Sequence, residues 1–299
     1  MGNYKTDNSS KQDLPAFAGV QEAIDATQYH RSMGLTKSGL LMLRKSPAHF
    51  WNWLNSEPTE STPAMNLGTA THTLLFEPHK WDKEILVVPE DAPKKPTAAQ
   101  LKSEKPKPET VAQIKWWQEF EKRAEGYCVI TAEQAEQAKG MVNAVLSVDE
   151  IVQLMRHPSA KAEVSIMAKE RIDGMDIDCK MRCDMLTEDG RTILDLKTCE
   201  DASYDEFSRS FMSNGYWMQA AHYIATARKA GVPVERFVFI AAEKHQPHIV
   251  SMYVLDDKSL ERAFAIRERL LRVLAQCMAS GKFPANNGIS PLTMPFYIN

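Results

Sequence analysis

The sequence predicts an α/β domain in which a meander of antiparallel strands is flanked by helices and preceded by a helical segment. Three observations predict it. The apolar period is helical up to about residue 160 and becomes two from residue 163. Two Asp-Gly pairs, Asp173-Gly174 and Asp189-Gly190, separate three alternating runs, the turn chemistry of tight hairpins. Helical period then returns around two further strand-like runs.

Residues 1–30 are expected to form a flexible arm, since their opening "MGNYKTDNSSKQDLP" is polar. Residues 31–299 are expected to form one domain. "LTKSGLLMLRKSPAHFWNWLN" (35–55) reads as a helix capped by Thr36 or Ser38 and perturbed at Pro47. "NLGTATHTLLFEP" (66–78) reads as a second helix, with His72 near its middle and Pro78 ending it. "EILVVPE" (84–90) is a short strand. Residues 91–108, rich in Pro and Lys, read as a mobile loop. Helices are expected over 109–125, 131–147 and 149–156. The meander strands are "EVSIMAKE", "MDIDCKMRCDML" and "TILDLKT". Helices at 203–212 and 216–230, strands at 236–243 and 248–255, and an amphipathic helix at 257–280 complete the order.

Composition bounds the function. A net charge of −3 gives no global basic field, so any polyanionic partner must be met by a local cleft or a metal ion. No run of apolar residues is long enough to span a bilayer, and a cytoplasmic protein without membrane association is expected. The five cysteines include no C-x-x-C pair, which argues against a zinc ribbon or redox motif and for reduced core thiols.

The chemistry concentrates in "TILDLKTCED" (192–201). Asp195 and Lys197 interrupt an apolar strand and point to one face. If the two Asp-Gly pairs centre their turns, Asp184 falls opposite Asp195 and Glu163 opposite Asp184. Like charges directly opposed across strands are destabilising, so a row of acids calls for a cation. Carboxylates with the Leu196 carbonyl suit a hard divalent ion, Mg²⁺ or Mn²⁺. Lys197 is placed to orient an attacking water, help deprotonate it, or neutralise developing charge. A solvent-facing sheet of mixed charges is the competing reading. "YWMQAAHY" adds Gln219 and Tyr223, four residues apart on one helix face.

Taken together, the order His72, Glu163, Asp184, Asp195-x-Lys197, Gln219-x-x-x-Tyr223 resembles the PDDEXK nuclease superfamily. It is most similar to the branch holding the RecB nuclease domain and the RecE-type exonucleases (exodeoxyribonuclease VIII). "LTKSGLLMLRKSPAHF", "LGTATHTLLFEP", "RCDMLTEDGRTILDLKT" and "PLTMPFYIN" extend the resemblance over roughly residues 30–299. The second motif acid is Asp195 where other PDDEXK enzymes carry Glu, and the long N-terminal extension of the largest RecE proteins is expected to be missing.

The resemblance implies a PDDEXK (restriction-endonuclease-like) core with a central mixed sheet flanked by helices. It implies Mg²⁺ held by His72, Asp184, Asp195 and the Leu196 carbonyl, with Glu163 touching the ion directly or through water. Lys197 would serve the attacking water; Gln219 and Tyr223 would support the site or the DNA strand. The implied activity is 5′→3′ digestion of linear double-stranded DNA from its ends, leaving 3′ overhangs. A RecT-type annealing partner and a ring-shaped homo-oligomer, in the manner of a tetramer, go with it. No iron–sulfur cluster is expected, because the cysteines do not bracket the core. An endonuclease or nickase with the same chemistry, or an inactive module binding DNA or a protein, are the alternatives.

Overall fold

A computed structural model describes residues 19–21, 29, 32–57, 60–156, 160–187 and 189–285. Most of the expected arm and the closing "PLTMPFYIN" lie outside the described residues. Gly19–Gln21, read as part of the arm, form a short edge strand, β1.

The first expected helix is two. Helix α1 (Lys37–Lys45) is capped by Thr36, whose hydroxyl accepts from the Gly39 amide. Pro47 cannot donate to a helical ladder, so the chain breaks at Ser46, which caps α2 (Pro47–Leu54) through the His49 amide. Helix α3 (Pro63–Phe76) starts on a Thr62 cap and stops before Pro78. A short helix α4 (Trp81–Glu84) leads into strand β2 (Ile85–Val87).

The Pro/Lys-rich segment contains one short helix, α5 (Ala98–Leu101), closed by a reciprocal Thr97/Gln100 cap. Helix α6 (Pro108–Arg123), strand β3 (Cys128–Ile130), helix α7 (Ala132–Leu146) and helix α8 (Asp149–Met155) follow. Strand β3, too short to show a period, pairs in parallel with β2.

The main sheet contains β4 (Lys161–Ile172), β5 (Met175–Leu186), β6 (Thr192–Cys199), β7 (Arg236–Glu243) and β8 (Val250–Val254), with β1 on the edge beside β4. Neighbours are antiparallel except β6 and β7, which are parallel. A parallel pair needs a crossover, and helices α9 (Tyr204–Ser213) and α10 (Tyr216–Lys229) supply it. Helix α11 (Asp257–Ser280) closes the fold. The outcome is the expected α/β architecture, a mixed sheet flanked by helices with a helical N-terminal part.

Both faces of the sheet are buried. On one face Leu194, Leu196, Val238 and Ile240 pack under α3 and α7 through Leu67, Ala70, Met141 and Val145. On the other, Ile193, Phe237, Phe239 and Ala241 pack under α10 through Ala220, Ile224 and Ala227. A third cluster joins α1, α2, α10 and α11 through Leu40, Phe50, Met218 and Leu271. The sheet's faces are thus set by the parity of β6 and β7, odd residues toward α10 and even residues toward α3. Among the described residues no helix is long and apolar enough to cross a membrane.

Candidate active site

The two hairpins hold the register that their Asp-Gly turns predict. Ile172 pairs with Met175 and Val164 with Cys183; Met185 pairs with Leu194 and Leu186 with Ile193. The ladder opens where the acids were expected to face each other. Glu163 and Asp184 are skipped, and β5 and β6 pair no further than Met185 and Leu194. Glu163 adopts a left-handed φ of 53°, rare for a residue with a Cβ. In place of the next rung, the Leu196 amide donates to the Asp184 carboxylate at 2.7 Å.

This opening lets side chains from both faces of the sheet converge. From α3, His72 brings Nδ1 to 3.2 Å from Asp184 Oδ2 and Nε2 to 3.0 Å from the Leu196 carbonyl. From α10, Gln219 donates to Asp195 Oδ2 at 2.5 Å. The other Asp195 oxygen contacts the Lys197 ammonium. Glu163 is paired with Arg182, which donates at 2.6 Å. Ligand atoms of His72, Glu163 and Asp184 lie within 4.8 Å of one another. Tyr223 sits one turn beyond Gln219, its ring edge-on to Phe237, in the apolar layer beneath the acids. Asp195 is engaged by Gln219 and Lys197 rather than gathered into the His72 cluster.

The electrostatics suit a bound cation. Burial, then the nearby charge of Asp195, pushes the Asp184 carboxyl well above its ordinary range. Burial raises Glu163 as well, with Arg182 pulling the other way. Burial and the Lys197 charge lower His72 to about 4, so its imidazole is neutral at physiological pH. Burial disfavours the Lys197 ammonium, but Asp195 and Asp184 outweigh it and its pKa is raised.

A neutral imidazole carries one N–H, yet both His72 nitrogens face acceptor oxygens. With Asp184 ionised one of these approaches has no proton in it, and a divalent cation among His72, Asp184 and Glu163 would both hold that carboxylate charged and resolve the conflict. Nitrogen and carboxylate donors with a backbone carbonyl beside them suit Mg²⁺ or Mn²⁺.

Two groups escaped the sequence reading. Arg182, on the polar positions of the alternating strand β5, compensates Glu163. Lys37 lay in a quoted helix start, and only folding brings it to Tyr216, which also stacks under Lys197. The alternation of β5 exposes Arg182 as a candidate; no local signal exposes Lys37.

No curated protein matches the chain. The fold is similar to that of a protein from Eubacterium rectale named a putative exonuclease, at 13% identity and a TM-score of 0.54, covering 91% of this chain and 96% of that one. A looser likeness, 12% identity and a TM-score of 0.31, links it to a phage-related exonuclease from Haemophilus somnus 129PT, over 71% of this chain and 94% of that one. Residues 36–291 match the model of a family described as a PDDEXK-like domain of unknown function (DUF3799). With most of its length inside that match, the chain belongs to this PDDEXK-like family.

Proposed function

We propose that this chain is a divalent-metal-dependent exodeoxyribonuclease that degrades linear double-stranded DNA from its ends, 5′→3′, leaving 3′ overhangs for recombination by strand annealing. The observation that carries this reading is the open ladder, which brings His72, Glu163 and Asp184 within 4.8 Å beside the Asp195–Lys197 pair. His72, Glu163, Asp184 and the Leu196 carbonyl would hold the ion, and Asp195 would face it from the neighbouring strand. A bound Mg²⁺ supplies polarisation of the scissile phosphate and an acidified water.

The protein's own groups do the positioning. The raised pKa of Lys197 keeps its ammonium charged at neutral pH, so it orients water and offsets charge on the phosphate instead of removing a proton. Gln219 fixes the Asp195 carboxylate through Oδ2. The hydrophobic layer around Tyr223 keeps the dielectric low beneath the reacting groups. The exonuclease name carried by the Eubacterium rectale protein of similar fold favours an end-dependent reading over an internal cutter. A RecT-type annealing protein and a homo-oligomeric ring, in the manner of a tetramer threaded by the duplex, complete the proposal.

The test is digestion of linear, nicked and closed circular duplex by the purified chain, with Mg²⁺ and with EDTA, beside Asp195→Ala. Loss of linear DNA alone, only with metal and only by the wild type, is expected. Cutting of closed circles would replace the end-dependent reading with an endonuclease. Inertness under every metal would leave a binding module.

A further inference from the structure

Two ammonium groups lie against one aromatic ring beside the acids. Lys197 Nζ is 4.9 Å from the Tyr216 ring centroid, and Lys37 Nζ is 5.5 Å from the same centroid. Their charge environments differ. Asp195 neutralises Lys197. Among the described residues, Lys37 forms no ion pair, and its ammonium makes no hydrogen bond. It is nonetheless only partly exposed. Burial and the neighbouring Lys197 charge lower its pKa to about 8.

A lysine with this freedom would normally extend its head into water. Here the backbone that carries it is fixed from three sides. Leu35 donates to the Asp178 carbonyl at 2.7 Å and accepts from the Lys180 amide at 2.9 Å, which stitches the approach to α1 onto β5. His222 reaches the Leu35 carbonyl at 3.1 Å. At the start of α10, Gly215 leaves room for Leu41 of α1, whose side chain lies 2.6 Å from where a Cβ would be. Helix α1 is therefore pressed against the N-terminus of α10, beside Tyr216. That ring also borders a cleft of 310 Å³ running from Lys197 toward Ser210, Asn214 and Lys244.

We propose that Lys37 binds a non-bridging oxygen of a phosphate in the DNA strand presented to the metal centre, as a second positioning cation beside Lys197. A held, half-desolvated cation that has no ion pair of its own and shares the Asp195 charge with Lys197 is costly until an anion arrives. A phosphate group supplies that charge and leaves Asp195 to Lys197. Tyr216 holds the two ammonium groups apart and pre-orients both by cation–π attraction. The proposal rests on the nuclease reading, and it gives the cleaved strand a contact that none of the acids can make.

The experiment measures binding and cleavage separately. Affinity for a fluorescent linear duplex is read by anisotropy in Ca²⁺ over a salt series, for wild type, Lys37→Met and Lys37→Arg. Steady-state cleavage in Mg²⁺ is read beside it, and thermal melting confirms that each variant folds. Lys37→Met should weaken duplex binding about tenfold, the size of one charge-assisted hydrogen bond, and Lys37→Arg should recover most of it. The log–log salt slope should fall by about one contact in Lys37→Met. The cleavage defect should appear in KM more than in kcat.

Comparing 5′-phosphate with 5′-hydroxyl ends identifies the phosphate. An effect confined to 5′-phosphate ends means a terminal group; an effect on both means an internal phosphodiester. Unchanged affinity and salt slope in a folded Lys37→Met overturn the proposal while leaving nuclease activity intact. A wild type that binds duplex without cutting it overturns the nuclease reading alone, and one that does neither overturns both.

Discussion

The Asp184 carboxylate accepts a hydrogen bond from the Leu196 amide at 2.7 Å, and the same oxygen lies 3.2 Å from His72 Nδ1. One side-chain atom thus holds two strands apart and faces the imidazole. Asp184→Asn keeps an acceptor for Leu196 and removes the charge. The variant should melt higher than wild type in EDTA, because a buried carboxylate with a raised pKa is lost. It should bind Mg²⁺ at least about tenfold more weakly and should not cleave DNA. Melting in EDTA and across a Mg²⁺ titration checks all but the last, and a cleavage assay checks that.

Gln219 is the donor that orients Asp195 through Oδ2. Gln219→Ala leaves a buried carboxylate oxygen without its donor, at a cost of about 1–3 kcal/mol. Cleavage should fall by about 10–100-fold, since the residue acts through a neighbour. Lys197→Met should fall further, by about 10²–10³-fold, the loss of one electrostatic stabiliser. Rate constants at saturating Mg²⁺, with chemical denaturation in parallel, separate the two effects.

His222 gives a pH dependence of stability. Its Nδ1 receives the Arg267 guanidinium at 3.2 Å, so it carries the lone pair, and Nε2–H is shared between the Leu35 and Lys180 carbonyls. Burial first, then Arg267, holds its pKa down to about 3, against an ordinary 6.5. The unfolded chain therefore takes up this proton first. The contribution is complete above pH 6.5 and is lost as pH falls toward 3, with a slope approaching about 1.4 kcal/mol per pH unit. Denaturation between pH 7 and 5 should show a steeper fall for wild type than for His222→Gln.

Gly215 combines a φ of 66° with the close approach of Leu41. Gly215→Ala should destabilise the protein by about 1–3 kcal/mol through strain and overpacking. Displacing α1 from α10 should also weaken duplex binding, and Leu41→Ala in the same chain should restore part of the stability. Melting temperatures of the single and double variants test the coupling.

Much of this architecture was legible in the chain. The alternation of Met175–Leu186 and the Asp-Gly turns set the register of three strands, and strand 236–243 and helix 257–280 have the expected bounds. The candidate site residues were nameable because acids in apolar strands are costly without a reason. Other features were hidden by range and shortness. Strands β1 and β3 have three residues each, too few to show a period, and exist because partners distant in sequence accept them. Pro47 was expected to perturb one helix; with Ser46 serving as a cap on both sides, it divides the segment into two. Period-two reasoning places Glu163, Asp184 and Asp195 in a row but assumes a closed ladder. It cannot show that the rungs between them open, nor that His72 and Gln219 arrive there from opposite faces.

The left-handed turn of the backbone at Glu163 bears on how this chain can vary in length. Before it, Ala162 packs with Met185 in the layer beneath α3; after it, Val164 packs with Cys183 in the layer beneath α10. Two residues that a regular strand would turn the same way thus belong to different halves of the interior. Adding or deleting one residue between Glu163 and the Asp173 turn would turn every side chain of that stretch to the wrong layer. The stretch is closed to insertion and deletion, and related chains that keep the site should differ in length in the connections around this hairpin, not along it.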